Sequence, residues 1–115
     1  MVKIIIGSDH TGVNLKQQIK ALLMKENVVF EDVGTDNSEV AVDYPKIAKK
    51  VVQKVKADKQ NKTKGILICG TGTGMSIAAN RIKGIRASVG YDTYSARMAR
   101  EHNDANILCL RARQF

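Results

Sequence analysis

Aromatic side chains are scarce: the 115 residues hold three tyrosines, two phenylalanines and no tryptophan. Sequence-tolerant binding of single-stranded nucleic acid relies on aromatic stacking platforms. Without them, and with dispersed lysines, no nucleic-acid partner is expected. Histidine and cysteine number two each. They are too few and too scattered for a zinc site, and Cys69 and Cys109 form no disulfide framework, so no metal is expected. No apolar run approaches the length of a membrane span, and the opening Met1 to Gly7 is too short for a signal peptide. The reading is a soluble, cytoplasmic protein in a reducing compartment, without membrane contact.

Hydrophobic residues make up 43% of the chain, and with few aromatics the core must rest on Ile, Val, Leu, Met and Ala. Such an aliphatic, β-branched core suits a sheet covered by helices. The length fits one domain over residues 1–115. Nineteen basic residues against eleven acidic give a net charge of +8, which favours anionic partners such as phosphate metabolites. Lys46, Lys49, Lys50, Lys54 and Lys56 read as the solvated face of a helix.

Strands and helices alternate along the chain. Val2 to Ile6 is an apolar run that predicts a buried strand. Leu15, Ile19, Leu22 and Leu23 then recur at helical spacing, with Lys16, Gln17, Lys20 and Lys25 on the opposite, polar face. Val28 to Val33 predicts a second strand. Asp43 is placed to cap a helix starting near Tyr44-Pro45, whose apolar face is Ile47, Ala48, Val51, Val52 and Val55. Gly65 to Cys69 is the clearest buried strand, followed by a helix carrying Met75, Ile77, Ala78, Ala79 and Ile82. Ile85–Val89, Thr93–Glu101 and Ile107–Leu110 read as strand, helix and strand. This order predicts a single Rossmann-like α/β domain: three α-β-α layers around a five-stranded parallel sheet with right-handed crossovers. The fifth strand is followed only by Arg111 to Phe115, so part of the sheet lacks a covering helix.

Ligands of open parallel sheets bind at the carboxyl ends of the strands. Ser8-Asp9-His10-Thr11-Gly12 follows the first strand, Cys69 to Ser76 the third, and His102-Asn103-Asp104 precedes the fifth. Both histidines and one cysteine therefore fall at element ends, where they could meet across a cleft. In Gly70-Thr71-Gly72-Thr73-Gly74, alternating glycines at a helix start let backbone N–H groups approach an anion. A Walker loop would need lysine here, a dinucleotide fingerprint would need glycine at Met75, and a phosphatase loop would need arginine. An anion or oxyanion cradle remains, with Cys69 at its lip. A helix N-terminus favours thiolate, which can serve as nucleophile or general base. Cys109, inside Ile107-Leu108-Cys109-Leu110, reads as a small core residue. His10 sits well for a phosphate contact, whereas His102 ends a helix and could simply cap it.

Several ordered motifs resemble those of the ribose-5-phosphate isomerase type B family, which also includes galactose-6-phosphate isomerase subunits. They are Gly7-Ser8-Asp9-His10-x-Gly12, Asp43-Tyr44-Pro45, Gly65 to Gly72, Met75 to Asn80, Gly84-Ile85-Arg86-Ala87, and Tyr94-Ser95-Ala96-Arg97 with His102 to Asn106. The resemblance spans the whole chain. It implies interconversion of an aldose phosphate and a ketose phosphate through an enediolate, without metal or other cofactor. Carried over by position, Cys69 would be the base, and Thr71 and His102 would assist opening of the sugar ring, with Asp43 near the histidine. Gly70, Gly72, Thr73, Gly74 and Ser76 would line the enediolate cradle. Asp9 and Asn103 would hold sugar hydroxyls, and His10 and Arg113 the phosphate. It further implies a homodimer or homotetramer with sites shared between subunits. The text Leu110-Arg111-Ala112-Arg113 departs from the family's usual glycine at Arg111, and the family's C-terminal helix with further arginines is absent. The alternatives are a hexose-phosphate isomerase subunit or a shortened, non-catalytic relative that binds sugar phosphates.

Overall fold

A computed structural model describes residues 2–113; of the terminal run discussed above, Gln114 and Phe115 lie outside the described residues. Five strands, β1 (Lys3–Ser8), β2 (Val29–Asp32), β3 (Thr63–Cys69), β4 (Ala87–Val89) and β5 (Ile107–Arg111), form one parallel sheet in the order β2-β1-β3-β5-β4. Four helices connect them: α1 (Val13–Lys25), α2 (Tyr44–Ala57), α3 (Thr73–Asn80) and α4 (Thr93–Glu101). The sequence pattern locates all nine elements, with boundaries shifted by a few residues where glycine or polar side chains extend a strand.

Alternation along the strands sorts the sheet into two faces. Ile5, Leu67, Cys69, Ile107 and Cys109 point to one side, where Ile47, Val51, Val52 and Val55 of α2 and Met75 and Ala79 of α3 close over them. Each residue named in that layer is buried. Gly65 allows α2 to come close, since a Cβ there would lie 2.8 Å from a Val51 methyl. The Cys109 thiol is pushed up to about 12 by burial, with Cys69 adding to the effect. It stays neutral and serves as core, as its position in an apolar strand predicts.

The other face is less complete. α1 lies over β1 and β2, and α4 over β4. Between them Ile4, Ile66 and Leu108 are only half buried and line a groove of about 220 Å³ together with Ala96 and Ala99. Among the described residues the sheet thus has an open stretch on this face. β5 itself is interior, flanked by β3 and β4.

Two local readings are corrected. Asp43 occupies the N-cap position of α2, but its side chain makes no capping hydrogen bond. Lys16, assigned to the polar face of α1, is fully buried, while Leu22 on the supposed inner face is 55% exposed. The Lys16 ammonium donates to Asp32 (3.0 Å), to Asp36 (3.1 Å) and to the carbonyl of Thr35. Lys20 pairs with Asp32 as well, at 2.9 Å. A chain segment carrying two carboxylates and a carbonyl folds over the lysine, and this satisfies a charge that a helical wheel would send to solvent.

Candidate active site

The carboxyl ends of β1 and β3 are neighbours, because Ser8 pairs with Ile68 in the ladder. Asp9 and Cys69 therefore leave the sheet side by side. The Asp9 Oδ1 accepts from the Thr11 amide (3.0 Å) and the Thr11 hydroxyl (2.6 Å), which stiffens a short 3-10 turn at His10–Gly12. Its Oδ2 has no partner among the described residues. The Val42 amide donates to Nδ1 of His10 at 3.2 Å. In the neutral imidazole Nε2 then carries the hydrogen. The same bond brings the long connection before α2, and with it Asp43, to the site.

After Cys69 the chain turns sharply into α3. Gly72 is the N-cap at φ 80°, a left-handed conformation that glycine takes without Cβ strain. The turn aims the Gly72 amide at Cys69 Sγ, 3.1 Å away. The sulfur thus sits at the N-terminus of α3 with a backbone donor directed at it. Thr71 Oγ1 accepts from the Thr73 amide at 3.2 Å, and the Ser76 amide makes the first helical bond, to Gly72 O at 3.1 Å. The Gly74 and Met75 amides have no acceptor among the described residues, so the cradle's donors are available to a ligand. Tyr44 lies across Gly74, where a Cβ would come within 2.9 Å of its ring. The sequence contained this signal in the glycine and the tyrosine separately, but their contact depends on how α2 packs against α3.

Arg113 completes the cluster. Its amide donates to Gly70 O at 3.1 Å, and its side chain lies beside Gly70, 3.6 Å from where a Cβ would stand, with the Thr11 hydroxyl close to the same point. Asp9, His10, Asp43, Cys69, Gly70, Thr71, Gly72, Thr73, Gly74, Ser76 and Arg113 are thus gathered at one end of the sheet.

His102 and Asn103 are not gathered there. α4 starts at the carboxyl end of β4 and runs back, so its C-terminus reaches the amino end of β5. The ladder pairs Gly65 with Ile107 and Cys69 with Arg111, which puts the 102–104 turn beyond the Gly65 end. Four residues of strand at about 3.3 Å each separate the two ends. Within one chain His102 therefore cannot meet Cys69 or Asp43, contrary to a cleft closed by one subunit. Both His102 and Asn103 are exposed.

Residues 4–115 match the family model for ribose/galactose isomerases. The chain belongs to the ribose/galactose isomerase family. It is 47% identical over 113 residues to ribose-5-phosphate isomerase B of Escherichia coli, covering 98% of this chain and 74% of that one. The solved ribose-5-phosphate isomerase B of Clostridium thermocellum superposes with a TM-score of 0.89 at 53% identity, over 96% of this chain and 72% of that one. That of Mycoplasma genitalium, solved with bound ribulose-5-phosphate, gives 0.91 at 42% identity, over 97% and 73%. This family member is a sugar-phosphate aldose–ketose isomerase with the Rossmann-like α/β fold expected of it. Among the described residues no group of three or more His, Cys, Asp or Glu could hold a metal ion, and no helix is long and apolar enough to cross a membrane.

Proposed function

We propose that this isomerase interconverts ribose 5-phosphate and ribulose 5-phosphate with Cys69 as the base, in sites each built from two copies of the chain. The observation that supports this most is the Gly72 amide 3.1 Å from the Cys69 sulfur, at the lip of a cradle whose Gly74 and Met75 amides have no acceptor among the described residues. In the first step the C1–O4 bond of the furanose breaks. The O1 hydroxyl gives up its proton and O4 gains one, with His102 of a second copy and Thr71 as the carriers. The Cys69 thiolate then takes the C2 proton. The C2–H electrons form the C1=C2 bond, and negative charge moves onto O1, where the amides of the α3 turn stabilise it. Return of the proton to C1, with transfer of the O2 proton to O1 as the C2=O bond forms, leaves the ketose.

Asp9 and Asn103 hold hydroxyls, and His10 and Arg113 face the phosphate. The distance between the two ends of one chain supports a homodimer or a larger homo-oligomer, since only a second copy can bring His102 to Cys69. Two free cysteines suit a reducing cytoplasm.

Turnover of ribose 5-phosphate in deuterium oxide tests the reading. The expected product is ribulose 5-phosphate with deuterium at C1, because a proton held on a thiol exchanges with solvent. Turnover without deuterium would exclude the base mechanism. Faster conversion of galactose 6-phosphate would reassign the substrate, and binding without turnover would make the chain a non-catalytic relative.

A further inference from the structure

We propose that Asp104, gripped by Arg86 and Arg100, is a positioning residue that holds the 102–104 turn in the shape that presents His102 to a second copy. The inference rests on the reading of His102 as a ring-opening group.

The turn between α4 and β5 must reverse the chain within residues 102–106. Asp104 does this at φ 50°, in the left-handed region that residues with a Cβ seldom adopt. Such a conformation persists where its surroundings fix it, and here they do. The Arg86 guanidinium donates from Nη2 to Asp104 Oδ2 at 3.2 Å and from Nε to the Asp104 carbonyl at 2.8 Å. The Arg100 Nη1 donates to Asp104 Oδ1 at 3.2 Å and to the Ala105 carbonyl at 2.6 Å.

The bracket is anchored from below. The Arg86 amide donates to Asn106 Oδ1 at 2.8 Å, and Asn106 Nδ2 donates to the Gly84 carbonyl at 3.1 Å. Asn106 is only 6% exposed. An isolated surface ion pair holds little, but these arginines also satisfy backbone carbonyls, so carboxylate, guanidinium groups and main chain form one network.

The side chains of His102 and Asn103 have no hydrogen-bond partner among the described residues. Their direction is therefore set by the backbone of the turn alone. A group that must meet a substrate held by another subunit needs this pre-organisation, because displacement by about 1 Å can cost a hundredfold in rate.

Asp104→Gly, which frees the backbone and removes the carboxylate, and the double variant Arg86→Met with Arg100→Met test the role. Two reactions are compared at saturating sugar. Consumption of ribose 5-phosphate requires ring opening. Exchange of the C1 hydrogen of ribulose 5-phosphate with solvent deuterium does not, because its C5 oxygen carries the phosphate and the ketose stays open.

Both variants are expected to consume ribose 5-phosphate roughly 10- to 100-fold more slowly while C1 exchange stays within about twofold. Amide hydrogen exchange at residues 103–105 should rise in the same samples. Equal losses in both reactions, or unchanged amide exchange, would overturn the positioning role. His102→Ala is the control. If it slows both reactions alike, the ring-opening reading fails and its positioning falls with it, while amide exchange still reports whether the bracket holds the turn.

Discussion

Replacing Cys69 by alanine is expected to slow isomerisation of ribose 5-phosphate by roughly 100- to 10,000-fold, the range supplied by a positioned general base. Among the described residues the sulfur is the one titratable atom held at the cradle's lip by a cradle amide, the Gly72 N–H at 3.1 Å. Cys69→Ser should lose nearly as much. A hydroxyl can still accept from the amide but is hardly ionised near neutral pH. Neither change should unfold the chain, because Cys69 contributes a small, 6% exposed side chain at the edge of the α2–α3 layer. A cost of about 1 kcal/mol is in keeping with such a truncation. Circular dichroism melting beside the assay checks both parts. Substantial activity in either variant would remove Cys69 from the mechanism.

Lys16→Met is expected to have the largest effect on stability. Methionine keeps the length and apolar body of the side chain but removes the charge, leaving Asp32, Asp36 and the Thr35 carbonyl without their common donor. Breaking a buried ion pair from one side costs about 3–5 kcal/mol. Lys20 still reaches Asp32, so the low end, about 3 kcal/mol, is expected from urea titration.

The pH dependence follows from Asp32. Burial pushes its carboxyl up, but hydrogen bonds from Lys20, Lys16 and the Gly34 amide, with the Lys16 charge, outweigh this and hold it below the usual carboxylate range. A depressed value in the folded state means the contribution is present above the unfolded value, about 3.9, and is lost as pH falls through the folded one. Wild-type stability should therefore decline on acidification below about pH 4, and Lys16→Met should decline less over the same interval. Parallel acid limbs would show that Lys16 does not hold Asp32 ionised.

These two residues mark how far the sequence could be read. The fold was legible because the strands are short aliphatic runs closed by glycine or polar residues, and because α2 places Ile47, Val51 and Val55 on one stripe. The placement of Cys69 at the lip of a glycine turn was legible because a buried strand there runs straight into alternating glycines at a helix start. Lys16 was misread, since a helical wheel assumes that charge seeks water and cannot know that residues 32–36 fold back over α1. The strand order β2-β1-β3-β5-β4 was hidden as well, because β-α alternation says that strands are parallel without saying which are neighbours.

His102 carries a different lesson. Reading it as an element end was correct, but the end is the wrong one for a site within one chain. A helix that leaves the carboxyl edge of a parallel sheet must return to the amino edge, so the separation from Cys69 follows from connectivity. The bracket of Arg86, Arg100 and Asp104 could not be seen in the same way. Its members are eighteen and four residues apart in sequence and meet only once β4 and β5 are paired.

Subunit mixing decides whether Cys69 of one copy works with His102 of another. Cys69→Ala and His102→Ala chains, each nearly inactive alone, are to be co-expressed and purified together. A mixed dimer would contain one site with both changes and one with neither, so random pairing should restore about a quarter of wild-type ribose 5-phosphate isomerase activity. Activity no higher than that of the two parents would contradict the shared site.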